Sequence, residues 1–195
     1  MLSPALTDVQ SGKPALRSEL KIRRAAFVAG LDVAERTLLE VQLAAQIAAH
    51  IVAGQRFAGY AAFDSEIDPA RLVLLRPALL PRVAGPGLPL SFYQSNAAAL
   101  VVNRFGMTEP PPGLPAVDPD VILVPLLGVD RRGHRIGYGG GYYDRTLAAL
   151  RQRRRVVAVG CAWDCQLIDN VPAEAWDEPL DAIATPTGFT MIATG

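Results

Sequence analysis

The stretch Val121-Ile-Leu-Val-Pro125-Leu-Leu-Gly-Val-Asp130-Arg-Arg-Gly-His-Arg135-Ile-Gly-Tyr-Gly-Gly140-Gly-Tyr-Tyr-Asp-Arg145 decides the fold. It opens on an apolar run, 121–127, of the kind that forms a strand covered on both faces. A glycine-rich segment follows, then a helical pattern over 146–151. Four glycines (Gly137, Gly139, Gly140 and Gly141) fall within five residues, and three of the five tyrosines, Tyr138, Tyr142 and Tyr143, sit on or beside them. Glycine accepts positive φ and lets backbone N–H groups converge on an anion. The helix N-terminus that follows adds partial positive charge. Strand, glycine loop and helix make a phosphate cradle; a glycine turn with tyrosines packed on it is the structural alternative. An acid beside a phosphate loop is unfavourable unless a cation lies between them, so Asp144 is a natural Mg2+ ligand. The loop is not the dinucleotide fingerprint, whose third glycine would fall on Tyr142.

Outward from this stretch, strands alternate with helices. A first helix is expected from about Pro14, with Leu16, Leu20, Phe27 and Leu31 on one face and Arg17, Arg23 and Arg24 away from it. A stop at 30–32 precedes a second helix over 33–53, with Leu39, Leu43, Ile47 and Ile51 four apart and Gly54 ending it. Strands are expected over 56–63, 80–83, 90–93, 121–127, 156–159, 182–185 and 189–192, and a short helix from Asp68-Pro69 through 75. Residues 77–89 and 101–118 read as loop or turn. The pattern predicts one α/β three-layer sandwich over 13–195, a mostly parallel sheet with helices on both faces, behind a loose tail over 1–12.

Composition excludes much. The 195 residues are 50% hydrophobic, and 19 Lys plus Arg balance 19 Asp plus Glu. A chain without net charge lacks the electrostatic footprint of a nucleic-acid binder. The basic run 151–155 reads as the close of a helix. Lysine occurs only at Lys13 and Lys21, and the Gly-Lys at Lys13 runs into Pro14, so there is no Walker phosphate loop. His50 and His134 lack the His-Glu-x-x-His context and read as helix and turn residues. No Gly-x-Ser-x-Gly elbow offers a nucleophile. Cys161 and Cys165 read as free thiols of a reducing compartment. With neither signal peptide nor membrane span, a soluble cytoplasmic protein is expected, a monomer or weak homo-oligomer.

Gly133-His-Arg-Ile-Gly-Tyr-Gly-Gly-Gly-Tyr-Tyr-Asp-Arg145 resembles the signature of the 5-formyltetrahydrofolate cyclo-ligase family. Lys13-Pro-Ala-Leu-Arg17, Ser65-Glu66-Ile67, Phe105-Gly-Met-Thr-Glu-Pro110, Val171-Pro172, Asp177 and Leu180-Asp181 are similar to further family motifs, in order. Trp176 and Thr185-Pro186 depart from the pattern, where relatives often carry His and Thr-Glu. The resemblance implies an enzyme that uses ATP and Mg2+ to close 5-formyltetrahydrofolate into 5,10-methenyltetrahydrofolate, with no covalent nucleophile. It implies ATP contacts from Lys13, Pro14, Ala15, Leu16 and Arg17, and from Arg135, Ile136, Gly137, Tyr138, Gly139, Gly140, Gly141, Tyr142 and Tyr143. Arg135 and Tyr143 would stabilise the moving phosphoryl group. Folate would meet Ala61, Glu66 and the loop from Tyr138 through Gly139, Gly140 and Gly141 to Tyr142. Asp144 and Asp177 would hold Mg2+. Phe92 or Tyr93 could stack on folate, and Glu109 reads as structural. A non-catalytic relative, or a sugar-phosphate isomerase or acyl-CoA transferase on a similar sheet, are the alternatives; ATP dependence separates them.

Overall fold

The computed structural model describes residues 12–75, 78–95, 99–103, 106 and 108–193. Residues 1–11 of the expected tail, Pro77, and Phe105 and Met107 lie outside the described residues. Helix α1 spans Lys13–Ala29, with Pro14 in its first turn, where a missing N–H does no harm. Helix α2, Val33–Ala48, starts on a capping box. The Asp32 carboxylate accepts the Glu35 N–H at 2.8 Å, and Glu35 accepts the Asp32 N–H at 2.9 Å. Such a cap contributes about 1 kcal/mol. The expected extension of α2 to 53 is wrong. The helix stops at Ala48, and Ile51 still reaches the core from the turn that follows, so its apolar spacing outlasts the helix. His50 lies in that turn and stacks on Phe189, centroids 3.8 Å apart.

The strands are β1 (Phe57–Ala58), β2 (Leu79–Val83), β3 (Leu90–Gln94), β4 (Val101–Val102), β5 (Thr108–Glu109), β6 (Val121–Pro125), β7 (Gly128–Val129), β8 (Arg135–Ile136), β9 (Val157–Cys161), β10 (Ala182–Thr185) and β11 (Gly188–Met191). Helix α3, Ala70–Leu75, links β1 to β2; helix α4, Tyr142–Arg151, lies between β8 and β9. Seven strands form one sheet in the order β11-β10-β9-β6-β1-β2-β3. Its five central strands are parallel, and β3 and β11 close the edges antiparallel.

Two layers of side chains cover this sheet. Phe57, Val121, Leu123, Val159, Cys161, Ala182 and Ala184 pack with Leu43, Ile47 and Leu72 of α2 and α3. The alternate positions, Ala58, Ile122, Val124, Ala158 and Ile183, pack with Leu147 and Leu150 of α4. Both parities of β6 are buried, which explains its unbroken apolar run; each large aliphatic side chain contributes about 1.5–3 kcal/mol. The expected three-layer α/β sandwich is therefore present. Phe92 belongs to this core, and Glu109 pairs with Arg82 at 3.2 Å.

Three further expectations need correction. The strand expected over 56–63 is only two residues long, because the chain turns at 63–66 to bury Ser65 and Glu66. Helix α4 begins at Tyr142 rather than 146, since left-handed Gly141 starts it directly from the loop. Arg24 does not point away from the core: it is wholly buried. The basic run that closes α4 is tied down by acids, Arg151 to Glu178 and Asp181, Arg153 to Asp118, and Arg154 to Asp120. No helix among the described residues is long and apolar enough to cross a membrane. Burial pushes the Cys161 thiol up to about 12, so it stays un-ionised, as a packed core cysteine should.

Candidate active site

Strands β1, β6 and β9 are neighbours. The chain leaves β1 towards β2 on one side, and β6 towards β9 and β10 on the other. The winding reverses between β1 and β6, and ligands of open α/β sheets bind at the carboxyl ends of strands at such a switch. Three segments meet there: residues 59–66 after β1, the glycine loop after the β7–β8 hairpin, and residues 162–178 after β9. Helix α1 packs across them against β8 and the 3-10 turn Asp164–Gln166.

One cluster is ionic. Lys13 Nζ donates to Glu174 Oε2 and to Asp177 Oδ2, both at 2.6 Å. Burial works against the ammonium, but these two acids outweigh it and hold Lys13 above its ordinary 10.5. Burial likewise opposes the charge of Asp177, while Lys13 and the Glu174 N–H hold its carboxyl below the usual range. One turn along α1, Arg17 Nε donates to the Gly137 carbonyl at 3.1 Å. Arg135, with a side chain only 6% exposed, donates to Asp144 Oδ1 at 2.5 Å and to the Glu178 carbonyl. The Glu178 N–H donates to the same Asp144 oxygen at 3.3 Å.

The glycine loop hangs between these ties. Gly139 has φ +91° and Gly141 φ +62°, conformations that side chains resist. A Cβ on Gly141 would stand 2.7 Å from Arg145, whose Nη2 donates to the Gly140 carbonyl at 2.5 Å. The loop therefore presents backbone, and α4 begins directly beneath it.

A second cluster centres on Glu66. It is 6% exposed, and its Oε2 accepts the Phe63 N–H at 2.9 Å. Burial raises its carboxyl pKa, while the facing Tyr138 hydroxyl, the Phe63 N–H and the Arg24 charge pull it down. Tyr143 packs against the α4 side of the core with its phenol towards Glu66 and Arg135, held protonated by burial. The Tyr138 hydroxyl thus connects Glu66 to the loop.

The structure gathers most of the expected site residues here: Lys13, Arg17, Glu66, Arg135, the loop, Tyr143, Asp144 and Asp177. Others play a smaller part. Leu16 and Ile136 turn their side chains into a core with Leu20 and Leu127, while Pro14 and Ala15 are exposed. Ala61 is half-buried beyond β1. A hollow lined by Ala53, Arg56, Phe57, Leu79 and Val117 lies at the amino ends of β1 and β2 and joins none of these residues. Glu174, Glu178 and Arg24 were not singled out in the sequence. Glu174 and Glu178 lie in an acidic stretch with no local pattern.

Among the described residues no three His, Cys, Asp or Glu side chains form a metal cage. The hydrogen bonds of Asp144 fall on Oδ1 and those of Asp177 on Oδ2, which leaves one hard oxygen of each for a cation. Both acids flank Arg135. Two carboxylates suit Mg2+ that completes its shell with phosphate and water.

The family model of the 5-formyltetrahydrofolate cyclo-ligase family matches residues 9–186. The chain belongs to that family. The 5-formyltetrahydrofolate cyclo-ligase of Escherichia coli K12 is 37% identical over 150 residues, 70% of this chain and 81% of the relative. That of Mycolicibacterium smegmatis is 37% identical over 164 residues, 82% of this chain and 78% of the relative. The solution structure of the Aquifex aeolicus 5,10-methenyltetrahydrofolate synthetase superposes with a TM-score of 0.74 at 30% identity, covering 92% of this chain and 94% of that one. The cyclo-ligase match spans all three segments of the site.

Proposed function

We propose that the protein is an ATP-dependent 5-formyltetrahydrofolate cyclo-ligase of the cytoplasm. The observation that carries this is the juxtaposition at one switch point of a backbone-lined glycine loop, two cations on α1, two acids around Arg135, and a buried glutamate. The loop N–H groups, the α4 N-terminus, Lys13 and Arg17 suit a triphosphate. Glu66, buried beside them, suits the N–H donors of a pterin ring.

The chemistry needs no protein nucleophile. A formamide oxygen is a poor leaving group. Transfer of the γ-phosphoryl to that oxygen releases ADP and leaves the formyl carbon electrophilic. The nitrogen at folate position 10 then attacks this carbon and loses its proton; the carbon–oxygen bond breaks, phosphate departs, and the methenyl bridge remains. The protein holds the two ligands in line and balances charge on the transferred group. Arg135, paired with Asp144 beside the glycine loop, lies where its guanidinium can face that charge. Tyr143, kept protonated, can donate to an oxygen between the two ligands. Mg2+ bound with ATP would neutralise the phosphates, held by Asp144 and Asp177.

Formyl-18O substrate tests the phosphorylation step. The label is expected in the released phosphate; unlabelled phosphate would overturn this route. Glu66, buried just past β1, also admits a second reading, a carboxylate base or nucleophile as in an isomerase or CoA transferase. Turnover that needs no ATP would support that reading instead.

A further inference from the structure

Arg24 is fully buried on a helix whose other arginines reach the surface. A buried guanidinium is retained only where its surroundings compensate the lost hydration. Nε donates to Ser65 Oγ at 3.0 Å and Nη1 to the Leu126 carbonyl at 3.4 Å. Nη2 stands 3.9 Å from Asp64 Oδ2, beyond hydrogen-bond reach. The Tyr138 ring lies over the guanidinium, centroid 5.6 Å away, close enough for a cation–π attraction.

Three of these partners, Ser65, Asp64 and Tyr138, border Glu66. Ser65 precedes it, and the Ser65 carbonyl is held from the other side by the Trp163 indole N–H at 3.0 Å. Asp64 has φ +59°, the only positive φ at a non-glycine residue among the described residues. Aspartate tolerates that conformation, and the nearby Arg24 charge favours the turn that requires it. Tyr138 belongs to the glycine loop and faces both Glu66 and Arg24.

We propose that Arg24 is a positioning residue, which docks the 64–66 turn onto Tyr138 of the glycine loop and thereby fixes Glu66 for the folate. The proposal rests on the assignment of Glu66 to the folate. It makes Arg24 the tie between the segment after β1 and the loop after β8. Removing it should loosen folate binding selectively, because Lys13, Arg17 and Arg135 hold the ionic cluster without it.

The test compares Arg24→Met, Arg24→Lys, Ser65→Ala and Glu66→Gln. Calorimetry measures 5-formyltetrahydrofolate binding in the presence of Mg2+ and a non-hydrolysable ATP analogue, and steady-state kinetics give both KM values. Glu66→Gln and Arg24→Met should each weaken folate binding by roughly tenfold or more, with the KM for ATP near wild type. Ser65→Ala should show a smaller loss of the same kind. Arg24→Lys should recover part of the Arg24→Met loss, because it restores charge but not the fork of donors. If Arg24→Met does not fold, Ser65→Ala and Arg24→Lys decide. Wild-type folate affinity in both of these, beside a loss in Glu66→Gln, would overturn the positioning role and leave the Glu66 assignment standing. Wild-type affinity in Glu66→Gln would overturn the assignment and the proposal together. A loss spread equally over ATP and folate would mark Arg24 as merely structural.

Discussion

Arg17 lies across Gly139: its guanidinium carbon stands 3.4 Å from where a Cβ on that glycine would be. The same side chain donates to the Gly137 carbonyl two residues earlier, so one arginine holds the loop down at both glycines. Gly139→Val places a branched side chain against Arg17 at φ +91°. The conformational strain costs about 1–2 kcal/mol, which a domain of this size survives. Turnover should disappear while circular dichroism stays native. Wild-type activity in a well-folded Gly139→Val protein would show that the loop is only a turn.

Lys13 holds Glu174 and Asp177 at 2.6 Å, where a phosphate would compete with them. In Lys13→Ala the two acids lose the ammonium that pairs with both of them. Loss of a charge-assisted contact is worth about 1.5–3 kcal/mol, so ATP affinity should fall on the order of tenfold or more. Calorimetry with ATP and with 5-formyltetrahydrofolate checks this. Folate affinity should hold; a drop in folate affinity with ATP unchanged would reverse the role given to Lys13.

Much of this site was legible because it is local in sequence. The run 121–127, the loop 137–141 and the helix after it give strand, glycine loop and helix in that order. Arg24 was misread for a physical reason. It stands four residues after Leu20 and three before Phe27, on the same helical stripe as Leu16 and Leu31. Its charge sets it away from the apolar face, although its spacing belongs to that face; the Ser65, Leu126 and Tyr138 partners that bury it are distant in sequence. Glu174 and Glu178 were invisible for the same reason, since their partners Lys13, Arg135 and Arg151 are remote along the chain. The β7–β8 hairpin was missed because two-residue strands carry no periodicity.

Asp144→Asn separates a metal ligand from a helix-start acid. The Asn oxygen can still accept from Arg135 and Glu178, but buried Arg135 loses the counter-charge it is hydrogen-bonded to. A stability loss of about 1–3 kcal/mol is expected on that ground alone. Turnover should fall far more steeply, with partial recovery at high Mg2+. Thermal unfolding beside a Mg2+ titration of methenyl formation checks both. Wild-type turnover at ordinary Mg2+ would remove Asp144 from the metal site.

Asp130 anchors the hairpin that carries the loop. Burial opposes its charge, but Arg132 and the N–H groups of Val171, Arg132 and His134 outweigh burial and hold its carboxyl below 3.8. A carboxyl with a depressed folded-state pKa adds stability above its unfolded value, and loses it as pH falls through the folded one. Asp130→Asn should therefore be less stable than wild type at neutral pH, and the gap should shrink as pH drops below 3.8. Denaturant melts across that range test this; a gap that is constant with pH would contradict it.

The most direct measurement mixes the protein with 5-formyltetrahydrofolate, ATP and Mg2+, and follows the methenyl chromophore and ADP together. A cyclo-ligase should form one methenyl product for each ADP released, and should form none when ATP or Mg2+ is withheld. ADP release without the chromophore, or chromophore formed without ATP, would contradict the assignment.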